Sequence, residues 1–337
     1  MRLLVLGGTE FVGRAVVTAA LARDWQVTVF HRGLHPAPDG VTVLHGDREA
    51  PDGLKAIEEE AATHGHWDLV VDTWSSAPRA VQNAARLLAD RAGHYAYVSS
   101  RSVYAWPPTA GMDEDGPLVE GAAADAESTD YARDKLGGEL AAIREFGAER
   151  SLLARAGLII GPWENVGRLP WWLNRVARGG PVPAPGPRDL PLQYIDVRDL
   201  AEWLLDASGQ GVSGAYNVVS PSGHTTMGEL LEECVRVTGA DARLCWLDEE
   251  AITGAGVAPW TDLPIWIPRG ESHDAMHQAD VSRALAAGLR CRPVAETVAD
   301  TWAWLRSLDG EPPLRTVRSP AGLTPEQDAA LLAGNRS

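Results

Sequence analysis

Tyr131-Ala132-Arg133-Asp134-Lys135 places a phenol and an ammonium four positions apart. On a helix, residues i and i+4 share a face, so the lysine can lower the pKa of the phenol through space. A phenol tuned in this way exchanges a proton with a hydroxyl or carbonyl group. Earlier in the chain, Val98-Ser99-Ser100-Arg101-Ser102-Val103-Tyr104 offers three hydroxyls, one of which can donate a hydrogen bond to the same reacting oxygen. A third piece is Val5-Leu6-Gly7-Gly8-Thr9-Glu10-Phe11-Val12-Gly13. Glycines there let the backbone turn tightly and approach a pyrophosphate, which rests at the positive N-terminus of the following helix.

These residues need a scaffold, and the hydrophobic pattern supplies one. Strands are expected at Arg2–Leu6, Gln26–Phe30, Val41–Leu44, Asp68–Thr73 and Tyr95–Ser99. Helices are expected at Val12–Ala22, Leu54–Thr63 and Ala80–Arg91, and again at Thr129–Phe146. The strands are apolar on both faces and alternate with helices, which predicts a doubly wound α/β fold around a parallel sheet. A Pro-, Gly- and acid-rich loop is expected over 105–128, and a strand over Leu152–Ile160. Shorter pieces follow: helices at Pro170–Arg178, Val197–Ala207, Met227–Thr238 and Val294–Leu308, and strands at Gln193–Ile195, Ala215–Val219 and Leu244–Leu247. They divide the chain into a dinucleotide-binding domain over 1–161, rejoined near 193–219, a smaller α/β lobe over 162–310, and a tail over 311–337. In that tail, Thr324-Pro325-Glu326 opens a short helix, with Thr as N-cap and Pro at its first position.

Composition narrows the partners. Apolar residues make up 45% and charged residues 23%, as in a folded globular protein. A formal net charge of −16 argues against attraction to nucleic acid or to anionic membranes. Cys234, Cys245 and Cys291 show no metal spacing, and so few suggest a reducing, cytoplasmic setting. The apolar start is interrupted by Gly7-Gly8, so no secretion signal is expected, and no apolar run nears the ~20 residues that span a bilayer. His224, His273 and His277 are scattered, so no metal site is expected. The chain is expected to be a monomer or a homodimer acting on a small molecule.

With these motifs in place, the chain resembles the extended short-chain dehydrogenase/reductases, which include nucleotide-sugar epimerases and dehydratases. That family opens with Gly-x-x-Gly-x-x-Gly. Gly7 and Gly13 match it, whereas Glu10 replaces the middle glycine, as in an atypical branch. A carboxylate repels a diphosphate, so Glu10 is expected to turn outward or to pair with Arg14 or Arg32. The family pattern Ser-x-x-Val-Tyr selects Ser100, with Ser99 and Ser102 as neighbours. The resemblance therefore implies catalysis by Ser100, Tyr131 and Lys135, with Lys135 also holding the nicotinamide ribose. The segments Arg155–Pro162, Tyr194–Leu200 and Tyr216–Val218 are also similar, so the resemblance runs from residue 1 to about 305.

The expected cofactor contacts are Gly7, Thr9, Glu10, Phe11, Val12, Gly13, His31, Arg32, Asp47, Arg48, Thr73, Trp74, Ser75, Ser99, Tyr131, Lys135 and Gly157. Asp47 matches the adenine-contacting acid of the family. At the end of the second strand, His31-Arg32 stands where NAD-preferring enzymes place an acid. A guanidinium there suits a 2′-phosphate, so NADP(H) is expected in preference to NAD(H). Arg101, Trp163, Arg168, Arg188, Gln193 and Trp260 are the expected substrate contacts, among thirteen tryptophans in all. The activity expected first is reduction of a carbonyl-type group on a small polar or aromatic metabolite. A nucleotide-sugar epimerase or dehydratase with retained NAD(P) is the alternative. A non-catalytic NADP-binding or RNA-binding relative is a third reading, opposed by the intact Ser100, Tyr131 and Lys135 and by the charge.

Overall fold

In the computed structural model, which describes residues 1–315 and 321–334, seven parallel strands form one sheet. They include β1 (Arg2–Leu6), β2 (Gln26–His31), β3 (Thr42–His45), β4 (Trp67–Asp72), β5 (Ala92–Ser100) and β6 (Ser151–Ala156), with the strand Gly214–Val218 at the far edge. The spatial order is Gly214–Val218, β6, β5, β4, β1, β2, β3. The order reverses between β1 and β4, and such a switch point leaves a crevice at the strands' carboxyl ends. Leu6 lies beside both Phe30 and Asp72, so Gly7, His31 and Thr73 leave the sheet at one level.

The strand and helix pattern explains the layers. Leu3, Leu4, Val5 and Leu6 are at most 1% exposed, because helices cover both faces of β1. Helices α1 (Phe11–Leu21), α2 (Lys55–His64), α3 (Pro78–Leu88) and α4 (Tyr131–Phe146) belong to this unit. The core on one side brings together Leu4, Phe30, Ile57, Val70, Tyr95 and Phe146.

The chain divides into two compact units. The first is Met1–Gly157, Val197–Val219 and Asp280–Arg290; the second is Leu158–Asp196, Ser220–Ala279 and Cys291–Ser337. Three sequence expectations change here. The division falls at Gly157, whose N–H donates to Val218 O at 3.2 Å, rather than at 161. The run Leu152–Ile160 is two strands, β6 and Ile159–Ile160. Asp280–Arg290 returns to the first unit, where Asp280 N–H donates to Met112 O at 3.1 Å.

The second unit packs around Trp172, Trp266, Leu230, Leu231 and Val298. It contains a strand that the sequence reading missed, Gly180–Pro185, paired in parallel with Ala242–Leu247. Pro181, Pro183 and Pro185 lack the N–H of an ordinary strand. Their alternation turns all three missing donors to one edge, so pairing proceeds along the other. The tail helix is Pro325–Gly334: Thr324 Oγ1 accepts from Gln327 N–H at 3.2 Å, and Gln327 Oε1 accepts from Thr324 N–H at 2.9 Å. The rest of the expected tail, 316–320 and 335–337, lies outside the described residues. Among those described, no helix is long and apolar enough to cross a membrane.

Candidate active site

The glycine turn is built for a backbone to come close. Gly7 and Gly8 have φ of 117° and 97°, which L side chains rarely adopt. A Cβ on Gly13 would sit 2.5 Å from Gly8 N, so only glycine lets the first turn of α1 pack on the loop. Phe11 opens α1 at φ 33°, a strained value for a bulky residue. Glu10, the N-cap, makes no side-chain cap, so no carboxylate oxygen covers the first N–H groups of the helix. Its Oε1 instead lies 3.7 Å from His35 Nε2, a neighbour that the sequence reading did not foresee. Thr9 and Val12 are half-buried on the same turn. Thr73 Oγ1 donates to Leu6 O at 3.0 Å and fastens the two strand ends together. This open, positively ended turn fits a pyrophosphate.

The polar helix start of α4 sets Tyr131 and Lys135. Asp130 caps the helix by accepting from Ala132 N–H and Arg133 N–H, each at 3.1 Å. Asp134 accepts from Ser128 Oγ at 2.6 Å and from Thr129 N–H at 2.8 Å, which pins the entering loop. Tyr131 is therefore the first helical residue, and it is 43% exposed. One turn on, Lys135 is buried, and its Nζ donates to Trp74 O at 2.5 Å and to Val98 O at 2.6 Å. Gly138 allows this approach, because a Cβ would strike the Tyr97 ring. Burial, followed by Asp72 and Tyr131, pushes the Tyr97 phenol well above its ordinary range.

Ser100 ends β5. Its Oγ accepts from Ser102 N–H and donates to Ser102 Oγ, both at 3.1 Å. The hydroxyl of Ser99 is committed elsewhere. Ser99 Oγ donates to Glu139 Oε1 at 2.5 Å, inside a buried network. Glu139 also accepts from Arg155 Nε at 3.0 Å and from Nη2 at 2.9 Å. Arg155 reaches Tyr104 Oη at 3.2 Å, and Tyr104 donates to Asn217 Oδ1 at 2.8 Å. Tyr104 is thereby removed as a rival to Tyr131, and Ser99 as a dinucleotide contact through its side chain. The sequence carried no signal for this network, because its members come from four distant segments.

The remaining expected contacts are held in different ways, and only some are committed elsewhere. Arg48 is buried, and it donates to Asp72 Oδ1 at 2.6 Å, to Asp72 Oδ2 at 2.7 Å and to Ala80 O at 2.9 Å, so its side chain serves the fold and not a ligand. Gly157 packs tightly, since a Cβ would lie 2.6 Å from Val219 Cγ2. Gln193 is fully buried. Its amide donates to Ser220 O at 3.0 Å and to Ala279 O at 2.9 Å, and its Oε1 accepts from Ala279 N–H at 2.8 Å, so the amide is committed within the second unit. Arg188 pairs with Glu232 and lies over Trp246. Asp47 is half-buried, and its Oδ1 accepts from Glu49 N–H at 3.1 Å. Trp74 Nε1 donates to Ala77 O at 3.0 Å, while Ser75 and Arg32 are exposed. Arg101 is half-buried next to Ser100, and burial lowers its guanidinium to about 10.

In the second unit the structure brings Arg168 and Trp260 together, with the guanidinium 5.2 Å from the ring centroid. Trp163 and Trp260 both have positive φ, at 66° and 67°. Between Trp163 and Arg168 stands Glu164, which the sequence reading missed. It is fully buried, and it accepts from Arg168 N–H at 2.8 Å and Leu169 N–H at 3.2 Å, capping the helix Arg168–Ala177. Burial pushes its carboxyl up to about 7, against the opposing pull of Arg168 and those N–H groups.

A parallel sheet reversing at β1, a glycine turn at that point and a tyrosine–lysine helix against β5 together define an extended short-chain dehydrogenase/reductase. The chain belongs to the NAD dependent epimerase/dehydratase family, which it matches over residues 3–218. The Bos taurus epimerase family protein SDR39U1 is similar, with 30% identity over 247 residues, covering 68% of this chain and 78% of that protein. UDP-N-acetylglucosamine 4-epimerase from Bacillus cereus has a similar fold, with TM-score 0.65, 16% identity and coverage of 91% of this chain and 99% of that one. So does the Bordetella bronchiseptica enzyme WbmH, solved with NAD+, with TM-score 0.64, 16% identity and coverage of 90% and 98% respectively.

Proposed function

We propose that this chain is an NADP(H)-dependent oxidoreductase that reduces a carbonyl-type group on a small polar or aromatic metabolite. The observation that carries this reading is the end of β2 beside the glycine turn, where His31 and an exposed Arg32 stand in place of a carboxylate. The turn from Gly7 to Gly13, with Arg32, Asp47, Thr73, Trp74, Ser75 and Lys135, would hold the dinucleotide, which when bound supplies a hydride. Tyr131 delivers the proton that turns the carbonyl oxygen into a hydroxyl. Ser100 turns its O–H from Ser102 Oγ to that oxygen and orients it. Lys135, fixed by two carbonyls one helical turn after Tyr131, would steady the phenolate left after transfer. Arg101, beside Ser100, suggests an anionic substrate. The low number of cysteines, three in all, fits a reducing, cytoplasmic compartment.

Arg32→Ala is expected to weaken NADPH by roughly 1.5–3 kcal/mol, the worth of a charge-assisted hydrogen bond, and to leave NADH nearly unchanged. Parallel titrations of the two dinucleotides read this directly. Equal affinities in the wild-type protein defeat the NADP assignment.

A second reading is an epimerase or dehydratase that regenerates its cofactor in each cycle. It is favoured by the similar structures, among them the B. cereus 4-epimerase named above. Stoichiometry separates the two. For a reductase, the purified protein is free of cofactor and consumes one NADPH per product, followed at the absorbance of the reduced nicotinamide. Turnover by protein that retains its dinucleotide, with none added, overturns reduction in favour of the second reading.

A further inference from the structure

His31 and His45 are the last residues of β2 and β3, side by side in parallel register. Their ring centroids are 4.9 Å apart, with the planes inclined at 60°. His35 comes from the loop after β2, and all three imidazoles line one open pocket of about 590 Å3, together with Gly33, Leu34 and Asp39. Gly33 N–H donates to His31 Nδ1 at 3.2 Å, which leaves the proton of the neutral ring on Nε2. That Nε2 has no hydrogen-bond partner among the described residues. Charged groups near this cluster include Arg32, adjacent in sequence, Glu10 at 3.7 Å from His35, and Asp39 on the pocket wall. Burial, then His45 and His35, hold His31 below its ordinary pKa.

We propose that His31, His35 and His45, with Arg32, form a proton-coupled site for a phosphate monoester, the 2′-phosphate of NADP(H). The proposal rests on the NADP reading above, because the end of β2 is where a doubly wound sheet meets the 2′ position of the adenosine ribose. A monoester phosphate carries about −1.5 to −2 charge near neutral pH. Arg32 supplies one positive charge, and Glu10 and Asp39 work against it. The remaining countercharge comes from imidazoles, whose charged form the anion's field favours. NADP(H) binding therefore takes up a proton that NAD(H) binding does not. The sign is diagnostic, because a phosphate brought among cations releases its own proton, so uptake belongs to the protein.

The test is calorimetric titration of the full chain with NADPH and with NADH, at pH 7.5, in two buffers of different ionisation enthalpy. The expected result is uptake of roughly 0.5–1 proton with NADPH and none with NADH. NADPH affinity then rises as pH falls from 8.5 to 6.5, by at most about tenfold per pH unit for one proton. His31→Asn and His45→Gln, checked for folding by thermal melts, each reduce the uptake. Preference for NADPH without proton uptake, or uptake unchanged in the double variant, overturns the histidine site and leaves the NADP reading standing. No preference for NADPH at any pH defeats the NADP reading itself.

Discussion

Tyr131→Phe is expected to lower turnover by about 10²–10⁴-fold, the usual contribution of a positioned general acid, while dinucleotide affinity stays unchanged. The phenol hydroxyl is the only atom removed. Tyr131 is the first residue of α4 and 43% exposed, so the loss opens no cavity and leaves the Asp130 cap intact. Lys135→Ala is a poorer probe of the same chemistry. Its Nζ satisfies the carbonyls of Trp74 and Val98, and losing it strips partners from both. Each unsatisfied buried acceptor costs about 1–3 kcal/mol, so the fold near the switch point suffers together with activity. The phenylalanine variant is measured on any substrate the wild-type chain reduces, at saturating NADPH. Near-normal turnover would show that another group delivers the proton. Ser100→Ala serves as a second check, since Ser100 only orients the oxygen and should cost less.

The parallel sheet and the glycine turn were legible because both follow from local pattern. Apolar runs bounded by Gly7 and Gly8, or by His31 and Arg32, need no knowledge of distant residues. Tyr131 and Lys135 were legible for the same reason, as helix periodicity alone places them on one face. What stayed hidden was decided by pairing across the chain. Nothing near Arg48 tells the reader that Asp72 waits for it at the end of β4, so an arginine beside the turn read as a ligand contact. Gln193 looked like a substrate contact until its amide was found satisfied by Ser220 and Ala279. The strand Gly180–Pro185 was hidden by its prolines, which the pattern treats as breakers although an edge tolerates them. His31 and His45 are neighbours only through strand register, and the expected strands stopped one residue short of each, at Phe30 and Leu44, so their meeting stayed hidden.

Arg48→Ala is expected to destabilise the chain by about 3–5 kcal/mol, the range for breaking a buried ion pair from one side. Arg48 and Asp72 side chains are 5% and 0% exposed, and the guanidinium meets the carboxylate through two parallel bonds. Asp72 also accepts from Tyr95 Oη at 2.5 Å and from Trp74 N–H at 2.9 Å, and Arg48 lies 5.0 Å from the Trp74 ring centroid. Burial alone would push the Asp72 carboxyl up; the Arg48 guanidinium and these hydrogen bonds outweigh it and hold the carboxyl below its ordinary range. In the wild-type chain this depressed pKa stabilises the fold above the unfolded pKa of about 3.9 and is lost as pH falls through the folded value. Without Arg48 the sign reverses, because an unpaired buried carboxylate titrates upward. The deficit of Arg48→Ala should therefore be largest at neutral pH and should shrink toward pH 5, as Asp72 takes a proton. Removing both charges, as in Arg48→Met with Asp72→Leu, should recover part of the loss, since no buried charge remains unpaired. Urea unfolding of the wild-type chain and the two variants at pH 5 and pH 7.5 measures all of this. A deficit independent of pH, or a double variant no better than Arg48→Ala, would mean that the arginine contributes by filling space against Trp74 and not by its charge.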